Sequence, residues 1–140
     1  MKLTKRFLLA LVITGSSYLS NAQTLSDSHG SSIGRIKSDG TVEDSHGSTA
    51  GHIKSDGAIE DSHGSTIGRI KSDGSIEDSH GSTIGRVEAN GTVDDSHGST
   101  IGHIKSDGTV EDSHGSTIGR AEGGVKREWI AVAFFFFKFN

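Results

Sequence analysis

The residues that could do chemistry in this 140-residue chain recur as one tetrapeptide, Asp-Ser-His-Gly. It appears six times without variation, at a constant spacing of seventeen residues. Its histidines are His29, His46, His63, His80, His97 and His114. An imidazole beside a carboxylate can act as a general base or bind a transition metal. The sequence therefore poses two chemical hypotheses, catalysis and metal binding, for the same six positions.

Catalysis is the first hypothesis, because Asp, Ser and His also make up the triad of serine hydrolases. That triad is assembled from distant segments, so that nucleophile, base and carboxylate meet in one geometry. Three adjacent residues cannot reach this geometry. An active site also needs an asymmetric set of groups in one pocket, and six identical copies do not supply one. We therefore expect no catalytic residues and a protein that is not an enzyme.

Metal binding is the second hypothesis. Six imidazoles with neighbouring carboxylates would suit Zn²⁺, Ni²⁺ or Cu²⁺ if the six turns converged on one axis. If the turns diverge, each histidine is a solvated turn residue. Clustered histidines would repel one another once protonated, so clustering also predicts a fold that loosens between pH 8 and pH 5. Both interpretations stay open on sequence, and we expect no other cofactor.

The elements that must position these turns form a repeat of seventeen residues. The copies begin at Asp27, Asp44, Asp61, Asp78, Asp95 and Asp112. A fixed period of this kind predicts a solenoid or a ring. A second turn recurs as Asp-Gly in four copies and as Asn90-Gly91 in another, which is typical of β-hairpins. Because Asn preserves the turn but not the charge, this position has a backbone role.

The residues between the turns predict two short strands in each copy. In the third copy these are Thr66 to Lys71 and Ser75 to Glu77, which are rich in β-branched residues. Ile67 and Ile70 would face opposite sides of a regular strand, so we expect a bulge at Gly68 that turns both toward the core. A helix is not expected in the repeats, because glycine interrupts every candidate window.

The two ends of the repeat array are complementary. Thr24-Leu25-Ser26 matches the outgoing strand of a copy, and Thr117 to Arg120 matches the incoming strand. Pairing of these ends would close the array and remove its exposed strand edges. An open solenoid is the alternative. We therefore predict an all-β fold, with 17-residue β-hairpin repeats arranged as a closed, pseudo-symmetric, flower-like ring. Five-fold and six-fold arrangements both stay open.

The N-terminal segment predicts export. Lys2, Lys5 and Arg6 precede an apolar run, and Ser20-Asn21-Ala22 supplies small residues before a cleavage point. Residues 1–22 are thus predicted to be a signal peptide and the mature chain to begin at Gln23. The apolar run is too short to span a bilayer, although a retained anchor is the alternative. We expect a periplasmic or extracellular location.

Charge and cysteine content restrict the partners. The chain has no cysteine, which excludes a disulfide framework and a thiolate metal site. From Gln23 onward eleven basic residues face eighteen acidic ones, a formal charge of −7. This balance disfavours nucleic acid, whose phosphates require clustered Lys and Arg. The remaining candidate partners are a repetitive surface ligand such as a glycan, bound weakly by many turns at once, and further copies of the chain through self-association.

The tail, residues 123–140, differs from the repeats of residues 23–122. It carries the only Trp and five of the six Phe. Its apolar run, Trp129 to Phe137, is too short for a membrane helix but long enough for a buried strand. We predict that this hydrophobic C-terminal strand packs against or through the centre of the ring and completes the same domain. Contact of the aromatic tail with a membrane is the alternative.

Three features of the chain occur together: the repeated Ile-Lys-Ser-Asp-Gly-Thr-Val-Glu-Asp-Ser unit, the Thr-Ile-Gly-Arg half, and Val125-Lys126-Arg127-Glu128-Trp129 before the phenylalanine run. In this combination the chain resembles the five-fold β-flower proteins. The resemblance covers essentially the whole chain from Gln23. It implies a small exported bacterial protein built of hairpin petals around a centre, and it implies little about activity. We therefore expect an exported structural or binding module of unknown ligand, with metal binding and membrane contact as alternatives.

Overall fold

The computed structural model describes residues 22–137. The predicted signal peptide lies outside this range, apart from Ala22. Twelve antiparallel strands close into one barrel, in which every strand pairs with its neighbours in the chain and β1 pairs with β12. The strands are β1 (Gln23–Asp27), β2 (Ser32–Ile36), β3 (Thr41–Asp44), β4 (Thr49–Ile53), β5 (Ala58–Asp61), β6 (Thr66–Ile70), β7 (Ser75–Asp78), β8 (Thr83–Val87), β9 (Thr92–Asp95), β10 (Thr100–Ile104), β11 (Thr109–Asp112) and β12 (Thr117–Glu122). The predicted closed ring is confirmed.

Five hairpins and one closing pair make up the barrel. The Asp-Gly and Asn-Gly turns connect the two strands of each hairpin, from β2–β3 to β10–β11. The sixth pair joins β12 to β1, with Ala121 opposite Leu25, and has no connecting turn. The described barrel therefore has six strand pairs around its axis, and the two ends of the repeat array share the sixth pair.

The predicted bulge is present in the third copy. Ile59 pairs with Gly68 and the next residue, Glu60, pairs with Thr66, which leaves Ile67 as the extra residue of β6. The other five pairs that are joined by an Asp-Ser-His-Gly turn show the same shift. As a result, Ile67 and Ile70 both pack against the core.

Aliphatic side chains line the barrel interior. Each strand pair contributes two of them, and the buried ones are Leu25, Ile36, Val42, Ile53, Ile59, Ile76, Val87, Val93, Ile104, Val110 and Ala121. Burial of one such side chain stabilises the fold by about 1.5–3 kcal/mol. However, the side chains of a barrel fill its interior only up to about eight strands. A barrel of twelve strands needs additional filling.

The tail supplies this filling as a helix, which corrects the predicted strand. An α-helix, α1 (Arg127–Ala131), continues directly into a π-helix, Val132–Phe136. Ile130, Ala131 and Val132 are buried. A strand inside the closed barrel would find no free edge to pair with, whereas a helix satisfies its backbone N–H and C=O groups internally. The prediction was right about an apolar tail inside the ring and wrong about its secondary structure.

Among residues 22–137, no helix is both long enough and apolar enough to cross a membrane.

The outer wall of the barrel is polar and repeats with the same period. In four hairpins the lysine before the turn forms an ion pair with a glutamate of the next strand, such as Lys71 with Glu77 at 3.0 Å. The other pairs are Lys37 with Glu43, Lys54 with Glu60 and Lys105 with Glu111. Hydrogen bonding to the glutamate raises the pKa of Lys54, Lys71 and Lys105. The fourth hairpin lacks this pair, because its lysine is replaced by Glu88.

Candidate functional site

The six Asp-Ser-His-Gly turns lie together at one end of the barrel, which we call the crown. They span residues 27–31, 44–48, 61–65, 78–82, 95–99 and 112–116. Each crown turn links an odd-numbered strand to the next even-numbered one, and antiparallel pairing places all such links at the same end. The hairpin turns and both ends of the repeat array lie at the opposite end, which we call the mouth.

The backbone of each crown turn uses its Asp and its Gly. The Oδ1 atom of Asp61 accepts the N–H groups of His63 and Ser65, both at 2.9 Å. These donors, Ser65 first, hold the pKa of the Asp61 carboxyl below its ordinary value. Gly64 has a φ of +84°, a conformation that L side chains rarely adopt. The other five turns repeat the same bonds.

The Ser and His side chains of the crown have no comparable role in the fold. In all six turns the His Nδ1 atom lies 3.3–3.4 Å from the hydroxyl of the preceding serine, a contact between adjacent residues. The side chain of His97 is 85% exposed. Adding a Cβ atom to the glycine that follows would meet nothing within 4 Å. The crown therefore presents its Ser-His pairs to solvent.

The crown geometry does not assemble a catalytic triad. The Oδ1 atom of Asp95 lies 4.0 Å from the Nδ1 atom of His97 and already accepts two backbone N–H groups. The Asp95 carboxylate therefore fixes the backbone of the turn and does not orient the imidazole of His97. His29, His46, His63, His80, His97 and His114 stand on six separate turns. Over the part of the chain that the structure describes, no three His, Cys, Asp or Glu residues are grouped so that they could hold a metal ion.

The mid-strand glycines receive the aromatic tail, a role that the sequence analysis missed. A Cβ atom added to Gly85 would lie 2.3 Å from Cε1 of Phe136, and one added to Gly102 would lie 2.3 Å from Cζ of Phe135. The same relation joins Phe134 to Gly119 and Phe137 to Gly68. Four consecutive rings thus lie against four glycines that are seventeen residues apart. We call this arrangement the phenylalanine ladder.

The π-helix brings the rotation between consecutive residues closer to the rotation between consecutive strand pairs. An α-helix turns by about 100° per residue, whereas six strand pairs around one axis are about 60° apart. Here the N–H group of Phe137 bonds the carbonyl oxygen of Val132, five residues earlier, at 3.0 Å. A helix with this bonding is wider and turns less per residue. The signal in the sequence was the recurring Thr-Ile-Gly together with an unbroken run of phenylalanines.

The tail is anchored at the hairpin turn that differs most from the others. The Nη1 atom of Arg127 donates a hydrogen bond to the carbonyl oxygen of Ala89 at 2.7 Å. This turn reads Glu88-Ala89-Asn90-Gly91, where the other four read Lys-Ser-Asp-Gly. Replacement of lysine by Glu88 removes a positive charge that would repel the guanidinium. The α1 helix accordingly contacts β8 and β10, on either side of β9.

A groove of about 520 Å³ opens at the mouth beside the anchored helix. We call it the mouth groove. Its wall consists of Lys126, Glu128 and Trp129 of the tail, together with residues 54–57 and 70–72 of the second and third hairpins. The Nζ atom of Lys126 lies 5.8 Å from the centroid of the Trp129 ring. The mouth groove brings together the only Trp and charged groups of both signs.

The family model described as 5-fold beta-flower protein matches residues 22–138. The chain belongs to this family. No curated protein and no solved structure matches the chain at a significant level. The match covers the described barrel and its tail together, as the resemblance in sequence predicted.

Membership of this family establishes the scaffold of the protein, which is a small repeat fold made of β-hairpins. Its five turn-linked hairpins agree in number with the five-fold description, and the closing pair of β1 and β12 is the sixth unit. The family is a structural repeat fold, and the crown and the mouth groove are two places where this scaffold presents polar side chains to solvent.

Proposed function

We propose that this beta-flower protein is an exported, non-enzymatic binding module that uses its crown to hold a ligand with a repeating structure. One observation carries the proposal. The Ser-His pair is identical in all six crown turns, although the turn itself needs only the Asp and the Gly. The fold does not use these two side chains, and yet they never vary within the chain. Contact with a ligand explains this constancy better than folding does.

Positions elsewhere in the repeat show that the copies do vary. The wall position of Arg69 is occupied by His52 and His103 in two other copies, and the core position of Ile67 is occupied by Ala50 in one. The hairpin position of Asp73 becomes Asn90. The five residues Asp-Ser-His-Gly-Ser change in no copy. Recent duplication alone would not spare the crown while other positions diverge.

The chemistry of the crown suits a polar polymer. Each turn offers a serine hydroxyl, which donates and accepts, and an imidazole, which does both through its two nitrogens. One such exposed turn binds weakly. Six turns on one rigid barrel end raise the overall affinity through effective concentration when a ligand repeats at a matching spacing. A surface glycan, with hydroxyl groups along its whole length, has this character.

The test measures binding to immobilised polysaccharides of defined repeating unit. Variants carry His→Ala at one, three or all six crown positions, and the wall double variant His52→Ala and His103→Ala is the matched control. We expect each crown substitution to weaken binding by a similar factor, about two-fold to ten-fold. Loss of all binding on one substitution, or an equal loss in the wall variant, would contradict a multivalent crown.

Export is part of this proposal and rests on the basic and apolar pattern of residues 1–22. Strand β1 begins at Gln23, so cleavage after Ala22 would leave the barrel complete. Intact-mass measurement on protein from the periplasm or culture medium should give a chain that begins at Gln23. A full-length chain retained in the cell would contradict export while leaving the crown hypothesis open to the binding test.

A further inference from the structure

The anchored tail makes one position of this ring unlike all the others. Arg127 bonds the fourth hairpin turn, and α1 contacts β8 and β10. The mouth groove lies at the second and third hairpins, where Trp129 and its neighbours stand opposite residues 54–57 and 70–72. Of the five similar hairpins around the mouth, the second and third line this groove together with the only Trp of the chain. The tail therefore breaks the symmetry of the mouth.

The mouth groove carries charges of both signs. Lys54 and Lys71 line it, but each is already paired with a glutamate, at 2.6 Å and 3.0 Å. Asp56, Lys126 and Glu128 also line it, and within residues 22–137 none of these three forms an ion pair. With one amine and two carboxylates outside the ion pairs, the groove does not favour a simple anion. It offers both hydrogen-bond donors and hydrogen-bond acceptors.

The half-buried indole of Trp129 adds a large apolar surface to these polar groups. A saccharide ring has the complementary character, because its hydroxyl groups both donate and accept while its C–H face is apolar. The volume of the groove lies in the range of small-ligand sites, about 300–1,000 Å³. We propose that the mouth groove binds a neutral saccharide unit, with its C–H face against Trp129 and its hydroxyl groups bonded by Lys126 and Glu128. This site is independent of the crown, which lies at the other end of the barrel.

The only Trp of the chain makes the test direct, since its fluorescence reports on the groove alone. The protein is titrated with three neutral saccharides, namely cellotriose, maltotriose and tri-N-acetylchitotriose. We expect a saturable change in emission for at least one of them, with a Kd of about 0.1–10 mM, as for a small open site. The Kd should stay the same when salt is raised from about 0.05 to about 0.5 M, because the ligand is neutral. A steep salt dependence would overturn neutral saccharide recognition.

Two lysines give a pair of variants, one inside the groove and one outside it. Lys126 lines the groove and Lys37 does not. Lys126→Gln should weaken saccharide binding at least about three-fold, and Lys37→Gln should leave it unchanged. Trp129→Phe, followed by calorimetry, should weaken binding about ten-fold.

Absence of a saturable change with all three saccharides would overturn the proposal, as would equal weakening by the two lysine variants. The chain with all six crown histidines replaced by alanine should bind the saccharide as the unchanged chain does. The saccharide test of the groove and the polysaccharide test of the crown can therefore fail independently of each other.

Discussion

Gly85→Ala is the substitution that examines the phenylalanine ladder most closely. The new Cβ atom would lie 2.3 and 2.4 Å from Cε1 and Cζ of Phe136, and 2.6 Å from the carbonyl oxygen of Asp94. Ordinary carbon contacts are about 3.5–4.0 Å. The ring or the strand must therefore move, and overpacking of this kind costs about 1–3 kcal/mol. The loss cannot come from backbone strain, since Gly85 does not have a positive φ.

A double-mutant cycle separates the ring contact from the backbone contact. Phe136→Leu removes Cε1 and Cζ but keeps the side chain apolar, so Gly85→Ala should cost at least about 1 kcal/mol less in this background. The contact with Asp94 remains and prevents full rescue. Phe135→Leu is the mismatched control, because Phe135 lies against Gly102 instead. In that background the cost of Gly85→Ala should change by less than about 0.5 kcal/mol.

The free energy of unfolding for these variants is measured by urea denaturation followed by circular dichroism. Equal cost of Gly85→Ala in all three backgrounds would refute the pairing of ring and glycine. Gly64→Ala provides a further comparison, because its Cβ would meet nothing within 4 Å while its φ of +84° is strained. Its cost of about 1–2 kcal/mol should not depend on Phe136.

Four further predictions follow from the anchor, the crown and the tail. Arg127→Ala should lower the free energy of unfolding by about 1 kcal/mol through loss of the bond to Ala89, with Arg69→Ala on the wall as the control. Backbone N–H groups lower the pKa of the six crown aspartates, so their contribution to stability is complete above about pH 3.9 and is lost as pH falls through the lowered pKa. Melting curves should thus agree between pH 8 and 5 and shift down in acid; no acid shift would contradict the turn bonding. Zn²⁺ titration should give no tighter binding than to a chain with six crown His→Ser changes, and tighter binding would support the metal hypothesis. Truncation after Glu128 should give an unfolded or aggregated product, whereas a soluble, folded one would assign the tail to membrane contact or export.

The barrel was predictable because its rules are local. The seventeen-residue period, the Asp-Gly turns and the three-residue spacing of Ile67 and Ile70 each restrict the backbone within a few residues. Closure followed from the match between the first and last strands, which needs only a comparison of two segments. These features place the crown histidines on turns, where three adjacent residues cannot form a triad.

The tail was not predictable in the same way. The length and apolar character of its run fit a buried strand, but a closed barrel leaves that strand without a partner, and this condition belongs to the whole fold. The anchor is a contact between residues 38 apart, Arg127 and Ala89. The sequence shows Asn90 where the other hairpin turns have Asp, and turn chemistry alone accounts for this replacement. The role of Glu88 and Ala89 beside the guanidinium requires the three-dimensional arrangement.

A nuclear Overhauser experiment on the chain can show directly whether the closed barrel is filled by its own aromatic helix. Rings placed against mid-strand glycines should show cross-peaks to the glycine Hα protons in one fixed order: Phe134 with Gly119, Phe135 with Gly102, Phe136 with Gly85 and Phe137 with Gly68. These Hα protons should also be shifted by the ring currents. Absence of such cross-peaks in a folded chain, or a different order, would contradict a helical tail inside the barrel.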